Sequence, residues 1–284
     1  MRRRTFIKTL VSGWVATTIA SEATARELVK SLIQSGNTED AQIRDYLQKM
    51  KRFDLPHDSD ICLSEEHFLL LKSCLWRLKR LQRLVGYGNF HLLGFDEAIL
   101  YARGYSKVGR FTREELNFLE ALFYDDAGRL GFLDEKPLRN ITNRIKKKNV
   151  VKIPGTGSYV YRGRPLESYK KIKAAIGDRV FLSSGIRSIM KQFLLFLNKA
   201  YKNRGNLSLA SRSLAPPGYS FHGISDFDVG QKGFGVENFT SRFTETAVFQ
   251  KLNELELVKV RYPKNNLLGV RFEPWHIKVN SIDL

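Results

Sequence analysis

Ser220-Phe221-His222-Gly223-Ile224-Ser225-Asp226-Phe227-Asp228 is the stretch on which the reading of this chain turns, and Glu273-Pro274-Trp275-His276 answers it further on. Two imidazoles, an aspartate and a spare glutamate are the inventory of a catalytic zinc site, where three side chains hold the ion and a fourth position stays open to water. The metal lowers that water's pKa from about 15.7 to roughly 7, within reach of a neighbouring carboxylate. A straight strand rising about 3.3 Å per residue would part the Cα atoms of His222 and Asp228 by roughly 20 Å. The segment is therefore expected to fold back, with Gly223 allowing it by adopting a positive φ. Phe227 reads as part of a short strand, with Asp226 and Asp228 on one face and Phe227 on the other. Pro274 excludes a helix interior, so Glu273 and His276 are expected on a strand or its entry turn. Scattered polar groups beside a β-core would produce the same letters, and these residues alone leave both readings open.

The wider pattern resembles a known family. Ala215-Pro216-Pro217-Gly218-Tyr219-Ser220-Phe221-His222, then Asp228-Val229-Gly230, then Phe272 to His276 look like the VanY-type D-alanyl-D-alanine carboxypeptidases, zinc peptidases with an S-x-H-x(6)-D element and a later E-P-W-H. Upstream, Ser184-Gly185-Ile186-Arg187-Ser188 with Gln192 resembles the family's S-G-x-R-S…Q element. The resemblance covers roughly Val180 to Val279. It implies His222, Asp228 and His276 as ligands of one Zn2+ per chain, Glu273 as general base and Arg187 as the cation that steadies substrate and developing oxyanion. It also implies Ser220, Gln192 and Tyr219 around the substrate. One departure matters: His222 to Asp228 is H-x(5)-D, one residue short of the family spacing. Asp226 therefore competes for the ligand role, and Asp228 is preferred because Val229-Gly230 follows it as in the family.

The remaining chain sets the context. Arg3-Arg4-Thr5-Phe6-Ile7-Lys8 resembles a twin-arginine export signature, and Ala23-Thr24-Ala25 offers a cleavage site. Residues 1–25 are thus expected to be a signal peptide, too short and polar to span a bilayer. Loss of Arg2, Arg3, Arg4, Lys8 and Glu22 with that segment takes the net charge from +18 to +15. The exported protein is expected in the periplasm or cell envelope, without a transmembrane segment. There its basic surface would meet an anionic envelope, and no nucleic acid is expected as partner.

Residues 26–149 read as a mainly helical region. Ser64-Glu65-Glu66 starts a helix whose apolar positions Leu71, Leu75, Leu78, Leu81 and Val85 run to Gly86. Arg77, Lys79, Arg80 and Arg83 on it are expected to be exposed. Along that helix, Cys74 would lie roughly 15 Å from Cys62 at about 1.5 Å per residue, too far for a bridge. Thr112-Arg113-Glu114-Glu115 fits a capping box for a second helix. Lys146-Lys147-Lys148 marks a boundary, and residues 150–284 read as the catalytic domain. Its expected strands are Val150–Ile153, Val180–Ser183, Val258–Tyr262, Leu268–Phe272 and Trp275–Val279, with helices at Tyr169–Ile176, Ile189–Tyr201 and Thr244–Leu255. That is an α+β fold, helices packed on a small antiparallel sheet. The function expected is hydrolysis of the terminal D-alanyl-D-alanine bond of peptidoglycan stem peptides. The alternatives are an endopeptidase of the same family and a zinc-containing cell-wall binding module without turnover.

Overall fold

The computed structural model of the chain describes residues 37–255 and 258–279. The signal segment expected at residues 1–25 lies outside them. The first elements are helices: α1 (Asn37–Lys51), α2 (Glu65–Val85), α3 (Phe95–Gly104) and α4 (Arg113–Tyr124). Their starts follow from local chemistry. The Ser64 hydroxyl accepts the His67 N–H at the head of α2. At α4, Thr112 and Glu115 bond reciprocally, the Glu115 N–H to Thr112 Oγ1 at 3.2 Å and the Thr112 N–H to Glu115 Oε2 at 2.9 Å.

Glu115 does more than cap. Arg77, expected on the surface, is buried, and its Nε and Nη2 each donate to the Glu115 carboxylate at 3.0 Å. Its Nη1 donates to the Val108 carbonyl at 3.2 Å. A guanidinium can leave water only with its donors taken up, and α4 supplies the partner. Glu115→Ala is therefore expected to destabilise the fold by about 3–5 kcal/mol, because the buried Arg77 charge is left alone. Urea unfolding checks this, and the double replacement with Arg77→Met should recover much of the loss. Cys62 and Cys74 are both free thiols, as the helical spacing implies.

The second half of the chain carries the sheets. β1 (Val150–Lys152) and β2 (Tyr159–Tyr161) form a hairpin, followed by α5 (Arg164–Ile176), β3 (Val180–Ser184), α6 (Ile189–Lys202) and the short α7 (Leu207–Ser211). Then come β4 (Phe227–Gln231), α8 (Ala247–Glu254), β5 (Lys259–Val260) and β6 (His276–Lys278). Four of these strands make one antiparallel sheet in the order β3-β4-β6-β5. The α+β architecture with a small antiparallel sheet is the one expected from the sequence.

Among the described residues, the two largest of four apolar clusters hold this together. Phe227, Val229, Ile277, Val180 and Leu182 pack on one side of the sheet with Tyr169 and Ile172 of α5 and Val248 and Leu252 of α8. The larger core joins Leu71, Leu75 and Leu78 of α2 to Phe193, Phe196 and Leu197 of α6. Residues on both sides of position 150 thus share it.

One expected strand is missing. Leu268–Phe272 is an irregular loop, and Gly269 within it sits at φ +71°, where a Cβ would lie 1.7 Å from the Gly131 carbonyl oxygen. The loop's polar groups go to other loops: the Leu268 carbonyl accepts the Leu133 N–H, and the Arg271 N–H donates to Arg212. Among the described residues no helix is long and apolar enough to cross a membrane.

Candidate metal centre

Alternation along β4 sends Phe227 and Val229 into the core and turns Asp228 to the opposite face. There Asp228 pairs in register with His276 on β6, and on its other side with Ser184 on β3. Directly opposed residues bring their Cβ atoms to about 4.5–5.5 Å, close enough for Asp228 and His276 to share an ion. The register of β3 slips between Leu182 and Ser184, a bulge of the kind that re-aims side chains.

His222 arrives from a different element. Phe221–Gly223 forms one 3-10 turn, which shortens the path to Asp228 as required. Gly223 takes part without a positive φ, contrary to expectation. Glycine is needed there for space instead, since a Cβ would lie 2.6 Å from Leu138 Cδ1.

The three side chains converge. His222, Asp228 and His276 each offer one ligand atom, all within 4.8 Å of one another, and all three residues are buried. His222 Nε2 lies 3.2 Å from Asp228 Oδ1, and His276 Nδ1 lies 3.8 Å from the same oxygen. Zinc bonds of about 2.0–2.1 Å at tetrahedral angles place ligand atoms roughly 3.4 Å apart, so small shifts would close the set.

The hydrogen bonds behind the rings decide which nitrogens face inward. His222 Nδ1 donates to the Gly185 carbonyl at 2.8 Å, leaving the Nε2 lone pair free. His276 Nε2 donates to Asp226 Oδ2 at 3.2 Å, which turns Nδ1 toward the cluster. His222 Nε2 and Asp228 Oδ1 are buried without a hydrogen-bond partner in the protein. Two orphaned polar atoms aimed at one point are costly unless an ion meets them. The donor set therefore fits a divalent metal of the zinc class.

Charge is arranged to suit. Burial pushes the His222 pKa down, with Arg187 adding to it, so the ring stays neutral. Burial alone would raise the Asp228 carboxyl. The Arg187 guanidinium and the charged His276 ring outweigh it and hold Asp228 well below the usual carboxylate range. For His276 burial lowers the pKa, but the bonds to Asp226 and Glu273 win and lift it to about 9 in the metal-free chain. A metal at Nδ1 displaces that proton, so binding is coupled to proton release.

Asp226, the rival candidate for ligand, stands behind His276 rather than beside the cluster. Its carboxylate accepts from His276 Nε2, from Arg261 Nε at 2.7 Å, from the Val279 N–H at 3.0 Å and from Ser225 Oγ at 3.1 Å. Arg261 in turn lies 3.5 Å over the Phe221 ring, so the chain of contacts runs back to the turn that carries His222. A carboxylate behind a metal-bound imidazole fixes the tautomer, and losing it typically costs 10–100-fold in metal affinity. Asp226→Asn is expected to weaken zinc binding by about that much, read by competition with a chromogenic chelator. An unchanged affinity would show that Asp226 only closes the loop.

The other expected site residues divide. Glu273 is buried, with Oε2 3.2 Å from His276 Nδ1, and it lines a cavity of about 160 Å³ with Arg187, Ser220 and the three ligands. Arg187 Nη2 donates to Asp228 Oδ2 at 2.5 Å and Nε to Ser184 Oγ at 3.0 Å. That pairing leaves Oδ1 for the ion. Gln192 and Tyr219 do not line the cavity. Gln192 is buried, with Nε2 donating to the Arg187 carbonyl at 2.9 Å and Oε1 accepting the Gly218 N–H at 2.8 Å. It clamps the loop to α6 instead of meeting a ligand. The Tyr219 hydroxyl accepts the Ala127 N–H at 3.2 Å, and its ring packs edge-on against Phe132.

Three cavity or backing residues escaped the sequence reading: Tyr262, edge-on to His276 at 5.3 Å between centroids, Arg261 and Arg271. The only available hint was their position in the strand and loop leading to Glu273. The larger groove of about 1140 Å³ between β1, α5 and the end of β4 holds none of this chemistry.

Comparison with known proteins bears on the same region. Residues 164–281 match the family model VanY, described as D-alanyl-D-alanine carboxypeptidase. No curated protein matches the chain. Seven chains of solved structures do. One is the LdcB LD-carboxypeptidase, at 22% identity over 51% of this chain and 65% of that one, with a TM-score of 0.37. Another is a mutant of the vancomycin-resistance D,D-pentapeptidase VanY in complex with Zn(II), at 23% identity over 52% and 86% of the two chains, TM-score 0.40. A third is the D,D-dipeptidase VanXYg with a D-Ala-D-Ala phosphinate analogue, at 21% identity over 52% and 60%, TM-score 0.40. The chain therefore spans less than two thirds of the LdcB and VanXYg structures.

Proposed function

We propose that this chain is an exported zinc peptidase that hydrolyses the terminal D-alanyl-D-alanine bond of peptidoglycan stem peptides. The observation that carries the reading is the convergence of His222 Nε2, Asp228 Oδ1 and His276 Nδ1, two of them orphaned, beside a buried glutamate that is not a ligand. The family match over residues 164–281 supplies the substrate class.

His222, Asp228 and His276 hold the ion, which when bound supplies Lewis-acid polarisation of the scissile carbonyl and a more acidic water. Glu273 takes the proton of the attacking water and delivers it to the leaving amine. Arg187, held by Asp228 and Ser184, presents its remaining N–H groups to the negative charge that develops on the carbonyl oxygen. Asp226 and the Gly185 carbonyl keep both imidazoles in the tautomers that ligation needs. The basic surface favours approach to an anionic envelope.

The test is direct. Zinc-loaded protein is incubated with pentapeptide muropeptides, and the products are weighed by mass spectrometry. Loss of a single alanine is expected. Cleavage at an internal bond would make the chain an endopeptidase, and bound zinc with no cleavage would leave a wall-binding module.

A further inference from the structure

The cavity holds a second guanidinium that none of these roles uses. Arg271 lines the same space as Arg187 and Glu273, and its side chain keeps 21% of its surface open. Its position is built. The Arg271 N–H donates to the Arg212 carbonyl at 2.9 Å, and Arg212 is anchored by a buried two-pronged pair with Asp60 at 2.7 and 2.8 Å. The guanidinium carbon lies 4.9 Å from the Trp275 ring centroid and 5.6 Å from that of Phe53, so aromatic faces steer its plane.

Its donors are not used up within the protein. Arg271 Nε is buried and finds no acceptor among the protein groups, and the Glu273 Oε1 atom, 3.8 Å away, is beyond hydrogen-bond reach. Arg187 is different, since Asp228 and Ser184 already take two of its nitrogens. A planar, fixed fork beside the catalytic base suits a carboxylate.

We propose that Arg271 is the specificity-determining residue of this site and binds the C-terminal carboxylate of the peptide whose last bond is cut. The inference rests on the carboxypeptidase reading above. An enzyme that removes only the last residue must tell a chain end from a mid-chain bond, and the free carboxylate is what distinguishes them. Arg271 Nε lies 3.8 Å from Glu273 Oε1, so a carboxylate held there lies one residue's length, ~3.8 Å, from the base that serves the scissile bond.

The test uses zinc-loaded full-length chain and two peptides ending in D-alanyl-D-alanine, one with a free carboxylate and one amidated. Arg271→Gln is expected to raise KM for the free acid about 10- to 100-fold with kcat nearly unchanged, the loss of one charged hydrogen bond made equally in ground and transition states. Its preference for acid over amide should collapse, and Arg271→Lys should restore part of it. Equal loss of kcat on both peptides, with a shifted acid limb of the pH profile, would mean that Arg271 acts through Glu273 and would overturn the proposal. Unchanged kinetics would overturn it too, as would wild-type cleavage of both peptides at equal rates. If the wild type cleaves neither, the carboxypeptidase reading itself has failed. Calorimetric binding of D-alanyl-D-alanine to wild type and Arg271→Gln then decides: weaker binding by the variant supports the Arg271 assignment, and equal binding rejects it.

Discussion

Glu273→Gln is expected to lower turnover by about 10²- to 10⁴-fold while zinc stays bound at the wild-type level. The glutamate is buried beside the ligand cluster without belonging to it. Its Oε2 lies 3.2 Å from His276 Nδ1, on the side where the three ligand atoms converge. A carboxylate in that place can take a proton from water at the metal, and an amide of the same shape cannot. Because no ligand atom is removed, metal content should be unaffected, and because the side chain keeps its volume the fold should be too. Single-turnover rates with zinc quantified on the same samples check both halves. Retained activity would remove Glu273 from the reaction, and lost zinc would make it a ligand.

Asp228→Ala should have the second large effect, and it should appear in two separable ways. The variant loses one of the three proposed metal ligands, so zinc affinity and activity are expected to fall together. It also strands a charge. Arg187 is 13% exposed and its Nη2 is committed to Asp228 Oδ2, so removing the carboxylate leaves a mostly buried guanidinium unpaired. That is expected to cost about 3–5 kcal/mol of stability. Urea unfolding with excess chelator isolates this part, since the stabilisation that bound metal adds by mass action is then absent from both proteins. Equal midpoints for chelated wild type and variant would refute the ion-pair argument while leaving the ligand role standing. His222→Ala offers the contrast, for it removes a proposed ligand whose ring is neutral and leaves no charge behind.

Much of this was written locally. Ser64, Thr112 and Glu115 announce the starts of α2 and α4 because capping is a contact between residues three apart. Helical spacing kept Cys62 and Cys74 apart. Pro274 placed Glu273 and His276 at a strand entrance, and the residues around His222, Asp228 and His276 were distinctive enough to be picked out together. Where the reading missed, the deciding partner was remote. Arg77 looked like one more surface cation until Glu115, on another helix, met it. Gln192 and Tyr219 looked available to a ligand until Gly218, Arg187 and Ala127 took up their polar groups. The strand expected at Leu268–Phe272 gave way to a loop because Gly131 and Arg212 lie against it.

The choice between Asp226 and Asp228 shows the division most clearly. The sequence by itself determined the chemical types, two imidazoles and a carboxylate with a glutamate nearby, and it favoured Asp228 over Asp226 only through the Val229-Gly230 that follows. Their places were separated when β4 paired with β6 so that Asp228 stands opposite His276, and when Arg261 and the Val279 N–H claimed Asp226. Strand register is set by distant side chains packing on the far face of the sheet, here Phe227 against Ile277, and a shift of one residue would exchange the faces. Residue type and local spacing can name the groups that bind a metal, but which lone pairs meet at one point is a property of the packed sheet.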